Sequence, residues 1–359
     1  MISRFSAFLM VLIGPVSYAV AATPPNILFI AVYDLRPELG CYGSRALTPN
    51  VDALAAKGLR FDRAYCNQAV CGASRLAITS GLYQEHTKER TFHVTDWRKR
   101  WPTTVTLNQH LTANGYTTVG LGKIYHGSGK QGVDIENWTR WIQVKGQPQY
   151  ADPTNAAIHE EKRKTPKSSG RGTLRGPMTE MADVPDNTYA DGARADKAVE
   201  QLATLAAANK PFFLAVGFTK PHLPFVALKR YWNLYERDSF SLPTNLGVSA
   251  GYPAWASNVA AGEMHSYSDF PKGRLPSAFP DAQNKRLLHG YYACVSYMDA
   301  QVGSILQSLK TNGLEDNTIV VFWADHDRKL GDHTSWRKHT NFECDNRVPL
   351  VTHSPNKPT

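Results

Sequence analysis

Apolar residues gather along this chain in short unbroken runs, separated by stretches with helical spacing. The first run, Asn26-Ile27-Leu28-Phe29-Ile30-Ala31-Val32, contains no polar alternation, which predicts a strand buried on both faces. Tyr116 to Leu121, Phe212 to Gly217 and Thr318 to Ala324 repeat the pattern. Between them, Leu47 to Gly58 predicts a helix with a polar cap and a terminal glycine, and Thr106 to Asn114 a second one ended by Gly115. Asp186 to Asn209 predicts an alanine-rich third helix. The longest, Gln283 to Asn312, spaces Leu287, Tyr291, Val295, Met298, Val302, Ile305 and Leu309 along one face and stops at Gly313. Leu59 to Tyr65 alternates like a half-buried strand, Ser74 to Gly81 reads as a short helix closed by glycine, and Val348 to Thr352 is strand-like. Strands that alternate with helices and are apolar on both faces predict a large, mostly parallel sheet sandwiched by helices, an α/β fold in one domain. Two stretches break the periodicity. From Asp134 to Pro185, Gly, Pro and charged residues accumulate, and Glu160 to Lys164 and Lys167 to Arg171 predict a solvated surface loop. Residues 238–282 are irregular and spotted with proline.

The N-terminus changes where the protein is expected to work. Met1 to Ala22 carries one cation, Arg4, then the apolar run Phe8 to Ile13 and small residues at Ala19-Val20-Ala21. This is the pattern of a secretory signal peptide cleaved near Ala21-Ala22, too short in its apolar core to span a membrane. It predicts a periplasmic or secreted protein with a catalytic domain over residues 23–359. No later segment reads as a membrane span. In an exported chain, the five cysteines (Cys41, Cys66, Cys71, Cys294 and Cys344) suggest disulfides with one thiol left over, and none has CxxC spacing. The formal net charge of +9 suits anionic partners such as acidic or sulfated glycans. No nucleic-acid-binding motif is present, so the charge reads as surface bias and substrate steering.

Candidate chemistry follows the apolar runs. Tyr33-Asp34 comes after the first, Gly122-Lys123-Ile124-Tyr125-His126 after the second, Lys220-Pro221-His222 after the third, and Asp325-His326-Asp327 after the fourth. Ligands of an open parallel sheet bind just beyond the carboxyl ends of its strands. Four such sets therefore predict one site, although each residue singly is also a plausible cap or loop hydrogen-bonder. Asp34, Asp325 and His326 offer ligands for a hard divalent cation. Lys123, His126, His222 and the later Lys338 offer cations or proton donors for a tetrahedral oxyanion. Cys71, in Val70-Cys71-Gly72-Ala73-Ser74-Arg75, stands at a turn into a helix, where unpaired N–H groups favour negative charge. Read alone it fits either a nucleophile or a small buried thiol, and Arg75, one turn later, could hold developing charge. Together these residues point to metal-assisted hydrolysis of a sulfate or phosphate ester.

At these positions the chain resembles the formylglycine-dependent sulfatases of the alkaline-phosphatase superfamily, nearest their iduronate-2-sulfatase-like branch. The resemblance runs from about Pro25 to Pro349. It is carried by Asp34 to Gly43, Cys71 to Arg75, Gly122 to His126, Lys220 to Phe225, and Asp325 through Lys338 to Glu343. It implies that a formylglycine-generating enzyme converts Cys71 to formylglycine, and that Ca2+ is held by Asp34, Asp325, His326 and residue 71. It further implies that Arg75, Lys123 and His126 orient the nucleophile, that His222 and Lys338 bind sulfate and assist departure of the sugar oxygen, and that the substrate is a sulfated glycan.

Three departures stand out. Tyr33 replaces the first of a usual pair of aspartates, and a phenol of pKa about 10 is a poor calcium ligand. Ala73 stands where the modification motif usually has proline. Asp327-Arg328 replaces a glycine and an aromatic residue, which makes Asp327 a candidate for the missing carboxylate. The family pattern also continues into a smaller C-terminal subdomain, so the domain is expected to be truncated at Thr359. Two other readings fit these departures: a non-catalytic relative that binds anionic glycans, and a phosphate- or phosphonate-ester hydrolase on the same scaffold.

Overall fold

The computed structural model describes residues 24–92, 94, 96–127, 134–164, 174–247, 251–253, 262–271 and 279–355. The signal-peptide segment and Lys167 to Arg171 lie outside them. A seven-stranded sheet runs through the centre, built from β1 (Asn26–Tyr33), β2 (Leu59–Arg60), β3 (Thr117–Gly122), β4 (Arg140–Ile142), β5 (Phe212–Pro221), β6 (Thr318–Ala324) and β7 (Leu350–His353). The spatial order is β2-β7-β6-β1-β5-β3-β4. The central strands β6, β1, β5, β3 and β4 are parallel, while β7 pairs antiparallel with β6 and β2. The mostly parallel α/β sheet expected from the apolar runs is therefore the one observed.

β1 shows why those runs lack alternation. Leu28, Ile30 and Val32 enter a core packed beneath α1 (Pro49–Lys57), α5 (Ala190–Ala208) and α6 (Asp281–Thr311). Phe29 and Ala31 enter a second core on the opposite face, with Leu111 of α3 (Leu107–Ala113), Trp138, Phe213 and Trp323. A strand covered on both sides has no polar face to show. In α6 the predicted stripe is buried throughout from Leu287 to Leu309, and each such side chain contributes about 1.5–3 kcal/mol by leaving water. Its Tyr291 reaches past the core: the hydroxyl accepts from the Arg36 amide (3.0 Å) and donates to the Asp34 carbonyl (3.1 Å).

Several expectations need correction. Leu59 to Tyr65 is not one half-buried strand. It splits into β2, the sheet edge among the described residues, and a separate pair, Ala64–Tyr65 with Arg347–Val348, and Leu59, Phe61 and Tyr65 are exposed. The helix after Cys71, α2 (Cys71–Ser80), starts on the cysteine itself rather than at Ser74. The stretch from Asp134 to Pro185 holds β4, a strand at Thr179–Ala182 and a full helix, α4 (Pro153–Lys164). Glu160 to Lys164 is thus helical. α4 buries no residue and so has no apolar period to detect. It starts because Asp152 Oδ1 accepts from the amides of Thr154 (2.8 Å) and Asn155 (3.0 Å), with proline at the first helical position. The five cysteines are all unpaired, spread over separate elements. Among the described residues no helix is long and apolar enough to cross a membrane.

Candidate active site

The carboxyl ends of β1, β3, β5 and β6 converge, and a cavity of about 870 Å³ opens above them, lined by Tyr33, Cys71, Lys123, His126, His222 and Lys338 among others. Close backbone packing makes this possible at two glycines. A Cβ on Gly217 would lie 2.2 Å from the Lys123 carbonyl carbon, and Gly122, at φ +75°, faces the Gly217 oxygen. Only there can the chain turn from β3 across β5 and bring Lys123 into the cavity. Asp34 ends β1 with φ +57°, a left-handed conformation that few residues other than Asn, Asp and Gly adopt. The Tyr291 hydroxyl holds its carbonyl.

The sequence-predicted residues are brought together in two layers. Cys71, Lys123, His126, His222 and Lys338 face the cavity; Asp34, Arg75, Asp325 and His326 lie beneath it, each almost fully buried. Tyr33 separates the layers. Its hydroxyl is 2.8 Å from Cys71 Sγ and 3.4 Å from Lys338 Nζ, and its ring stacks on His222 with centroids 4.1 Å apart. Lys123 and Lys338 each bring an ammonium within 5 Å of the ring centroid, at 4.7 and 4.6 Å. Burial, then the neighbouring thiol and carboxylates, push the Tyr33 phenol well above its ordinary value, so it stays neutral.

Charge in the lower layer is matched pairwise. Lys338 Nζ donates to both oxygens of Asp34 (2.8 and 3.0 Å), and Arg328 Nη1 donates to Oδ2 (3.2 Å). Burial raises the Asp34 carboxyl, but Lys338, then His222, His326 and Arg328, outweigh it and hold it below the usual carboxylate range. Arg75 Nε donates to Asp325 Oδ2 (2.8 Å), while Arg75 Nη1 donates to the Lys123 carbonyl and Ser74 Oγ to the Asp325 carbonyl. The His326 imidazole would be lowered by burial, yet Asp325 and the Cys71 sulfur push it up to about 9. Burial also raises the Cys71 thiol, but Lys338 and the imidazoles of His126, His326 and His339 pull it well below its ordinary value. In the upper layer Lys123 Nζ lies 3.3 Å from His126 Nδ1, and burial beside Arg75 lowers the ammonium to about 8.

Glu263 and Arg328 belong to this site and were given no role from sequence. Glu263 Oε2 sits 3.4 Å from His222 Nε2, and Oε1 sits 3.5 Å from Arg328 Nη1. Glu263 comes from the irregular 238–282 stretch, where no periodicity marks it. Arg328 carried a usable signal, since it follows β6 as directly as Asp325 does. Asp327, the candidate replacement for the missing carboxylate, faces away instead: its Oδ2 lies 3.6 Å from Arg36 Nε and lines a separate cavity. Strand alternation would put residues two apart on one face, but β6 ends at Ala324, and the chain beyond it turns Asp327 toward Arg36, away from Asp325. The solvated-loop expectation for 134–185 also changes, because His159, Arg163 and Arg175 line the main cavity.

Two groups of donors could hold a metal ion: Asp34, Asp325 and His326, and Asp34, His222 and Glu263, each with ligand atoms within 4.8 Å of one another. His326 Nε2 is buried without a hydrogen-bond partner, 3.7 Å from Asp325 Oδ2. Asp34, which both groups share, is not available: both its oxygens, and Oδ2 of Asp325, already accept from Lys338, Arg328 and Arg75, and only Glu263 Oε1 among these carboxylate oxygens is buried without a hydrogen bond. Calcium takes six to eight oxygen ligands. This donor set, poor in oxygen and already neutralised, does not fit it.

The whole described chain from residue 25 onward matches the family model "Sulfatase" over residues 25–359. Iduronate 2-sulfatase from Mus musculus is 32% identical over 340 residues, covering 92% of this chain and 60% of that protein. A sulfatase from Formosa agariphila is 30% identical, covering 93% of this chain and 65% of its own length. This chain thus spans about 60% of the length of the first of these relatives. Among solved structures, a phosphonate monoester hydrolase from Silicibacter pomeroyi superposes with a TM-score of 0.71 at 20% identity, covering 93% of this chain and 69% of that one, and so shares the fold. On the family match and the relatives together, the chain belongs to the sulfatase family.

Proposed function

We propose that the cavity hydrolyses sulfate monoesters of an anionic glycan, in the periplasm or outside the cell, with residue 71 supplying the nucleophile. The observation that carries this reading is the cavity itself: residue 71 lines it together with Lys123, His126, His222 and Lys338, two ammonium groups and two imidazoles able to surround a sulfate group. Conversion of Cys71 to formylglycine would supply an aldehyde hydrate, whose one hydroxyl attacks sulfur and whose other later expels sulfate. Lys123 and Lys338 bind the sulfate oxygens. His222 donates Nδ1–H to the Leu223 carbonyl (2.6 Å), which leaves Nε2, 3.4 Å from Glu263, to meet the departing sugar oxygen; burial holds this imidazole below its ordinary value, with Glu263 and Asp34 opposing, so acid assistance from it would be favoured toward lower pH. Arg163, Arg175 and Arg337 on the cavity wall suit further anionic groups along a glycan. A 2-O-sulfated uronic acid, the class named by iduronate 2-sulfatase, is the substrate to try first.

The test is co-expression with a formylglycine-generating enzyme, followed by peptide mass analysis and sulfate release. The expected result is loss of the Cys71 thiol mass and release of sulfate from aryl sulfate or 2-O-sulfated uronate, with none from Cys71→Ala. An unmodified thiol and no sulfate release from either substrate would overturn the reading. Matched phosphate and phosphonate esters, assayed in parallel, should turn over more slowly; the reverse preference would make this a phosphoryl or phosphonyl hydrolase.

A further inference from the structure

Arg328 is placed as a permanent part of the lower layer. Its Nη1 bridges Asp34 Oδ2 (3.2 Å) and Glu263 Oε1 (3.5 Å), and its Nη2 donates to the Trp336 carbonyl (2.9 Å). The guanidinium also packs over the Phe225 ring at 5.5 Å, and the residue is 1% exposed. Arg328 lies at the floor of the main cavity, and contacts on three sides hold its guanidinium in place against Asp34. Lys338 adds a second fixed cation on the same carboxylate.

Charge balance makes the same point. The two layers contain three carboxylates (Asp34, Asp325 and Glu263) and four lysine and arginine side chains (Arg75, Lys123, Arg328 and Lys338), besides the imidazoles of His126, His222 and His326. Position 33 adds a phenol, which stays neutral and is hydrogen-bonded to Cys71 Sγ. At Asp34 itself two fixed cations, Arg328 and Lys338, meet one carboxylate, a local excess of one positive charge. A dication placed between Asp34 and His326 would raise that excess to three, in a region shielded from water where like charges repel strongly. Tyr33 and Arg328 act in the same direction: one withholds a carboxylate from the ion and the other occupies the carboxylate that remains.

We propose that the Arg328 guanidinium, with the Lys338 ammonium, is the resident counter-cation of this centre, so that the site takes its anionic ester without a divalent metal ion. The identity of the ester rests on the reading given above; the exclusion of metal does not, and it is tested with metal alone.

The experiment is calcium titration of the full chain by calorimetry, with metal content measured after dialysis against calcium and thermal unfolding followed with calcium and with EDTA. The wild-type chain should retain less than a tenth of an equivalent and show no shift of its unfolding midpoint with either reagent (~0.1 equivalent marks the resolution needed to separate an empty site from a filled one). Tyr33→Asp/Arg328→Met adds a carboxylate and removes the guanidinium, and should bind close to one calcium per chain with a raised midpoint. Arg328→Lys keeps the charge and should behave as wild type. One calcium per wild-type chain overturns the inference, as does a folded double variant, checked by circular dichroism, that binds no more than wild type. The wild-type measurement decides the matter even when the double variant fails to fold. Sulfate release, where present, should be unchanged by EDTA.

Discussion

Asp34 and Asp299 are both carboxylates sealed from water, and the molecule treats them oppositely. Asp34, at the carboxyl end of the sheet, is met by Lys338 and Arg328 and held below the usual carboxylate range against its burial. Asp299, in α6 at the junction with α1, accepts from the Val51 amide (2.8 Å) and from the amide and side chain of Asn50 (3.2 and 2.8 Å). Among the described residues no cation pairs with it, and burial pushes its carboxyl up to about 6 despite those hydrogen bonds. Backbone dipoles at a helix start satisfy the lone pairs of a buried acid without offsetting its whole desolvation; fixed cations do both. The same side chain is thus an anchor in one place and a permanent charge in the other.

The comparison can be broken most severely at Lys338. Lys338→Met strands the Asp34 carboxylate with Arg328 alone, and removing one partner of a buried pair costs about 3–5 kcal/mol. Chemical denaturation should show that loss, and sulfate release should fall by about 10³-fold because a sulfate-binding cation goes with it. At Asp299 the expected effect is a pH slope. Its folded pKa lies above the unfolded value of about 4, so the unfolded chain releases its proton first as pH rises. Stability should then decline by about 3 kcal/mol between about pH 4 and about pH 6 and level off above. Asp299→Asn should remove that slope when urea unfolding is repeated at each pH; equal slopes would show that Asp299 titrates normally.

Lys123 sharpens the comparison from the other side, as a cation whose charge burial weakens. Anion binding that needs its ammonium should be full below about pH 8 and lost above it. Lys123→Arg should carry the alkaline limb of sulfate release beyond pH ~10; an unmoved limb would assign it to another group. The smallest effect is expected at Tyr291. Tyr291→Phe removes one hydroxyl and its bonds to residues 34 and 36, for about 1–2 kcal/mol, with a several-fold fall in sulfate release and little change in substrate affinity.

Most of the fold was legible because burial leaves a trace in composition. β1, β5 and β6 read as strands since Leu28 and Phe29 both needed a core, one on each side. Asp34, Lys123, His222 and Asp325 were legible as a site because each directly follows such a run. α4 was not, because it buries nothing and only the Asp152-Pro153 cap betrays it. Glu263 was not, because its position depends on long-range packing of an irregular stretch around His222 and Arg328. Asp327 was misplaced for a simpler reason: residue type suggested a ligand, and the turn of the chain after β6 ends at Ala324 sends its side chain to Arg36 instead.

The sheet tapers at its margins. β2 contributes two residues at one border and β4 three at the other, while the long strands β1 and β5 lie inside with partners on both flanks. Unpaired strand borders are templates on which separate molecules associate. Placing the shortest ladders outermost limits the backbone open to a neighbouring copy, which favours colloidal stability.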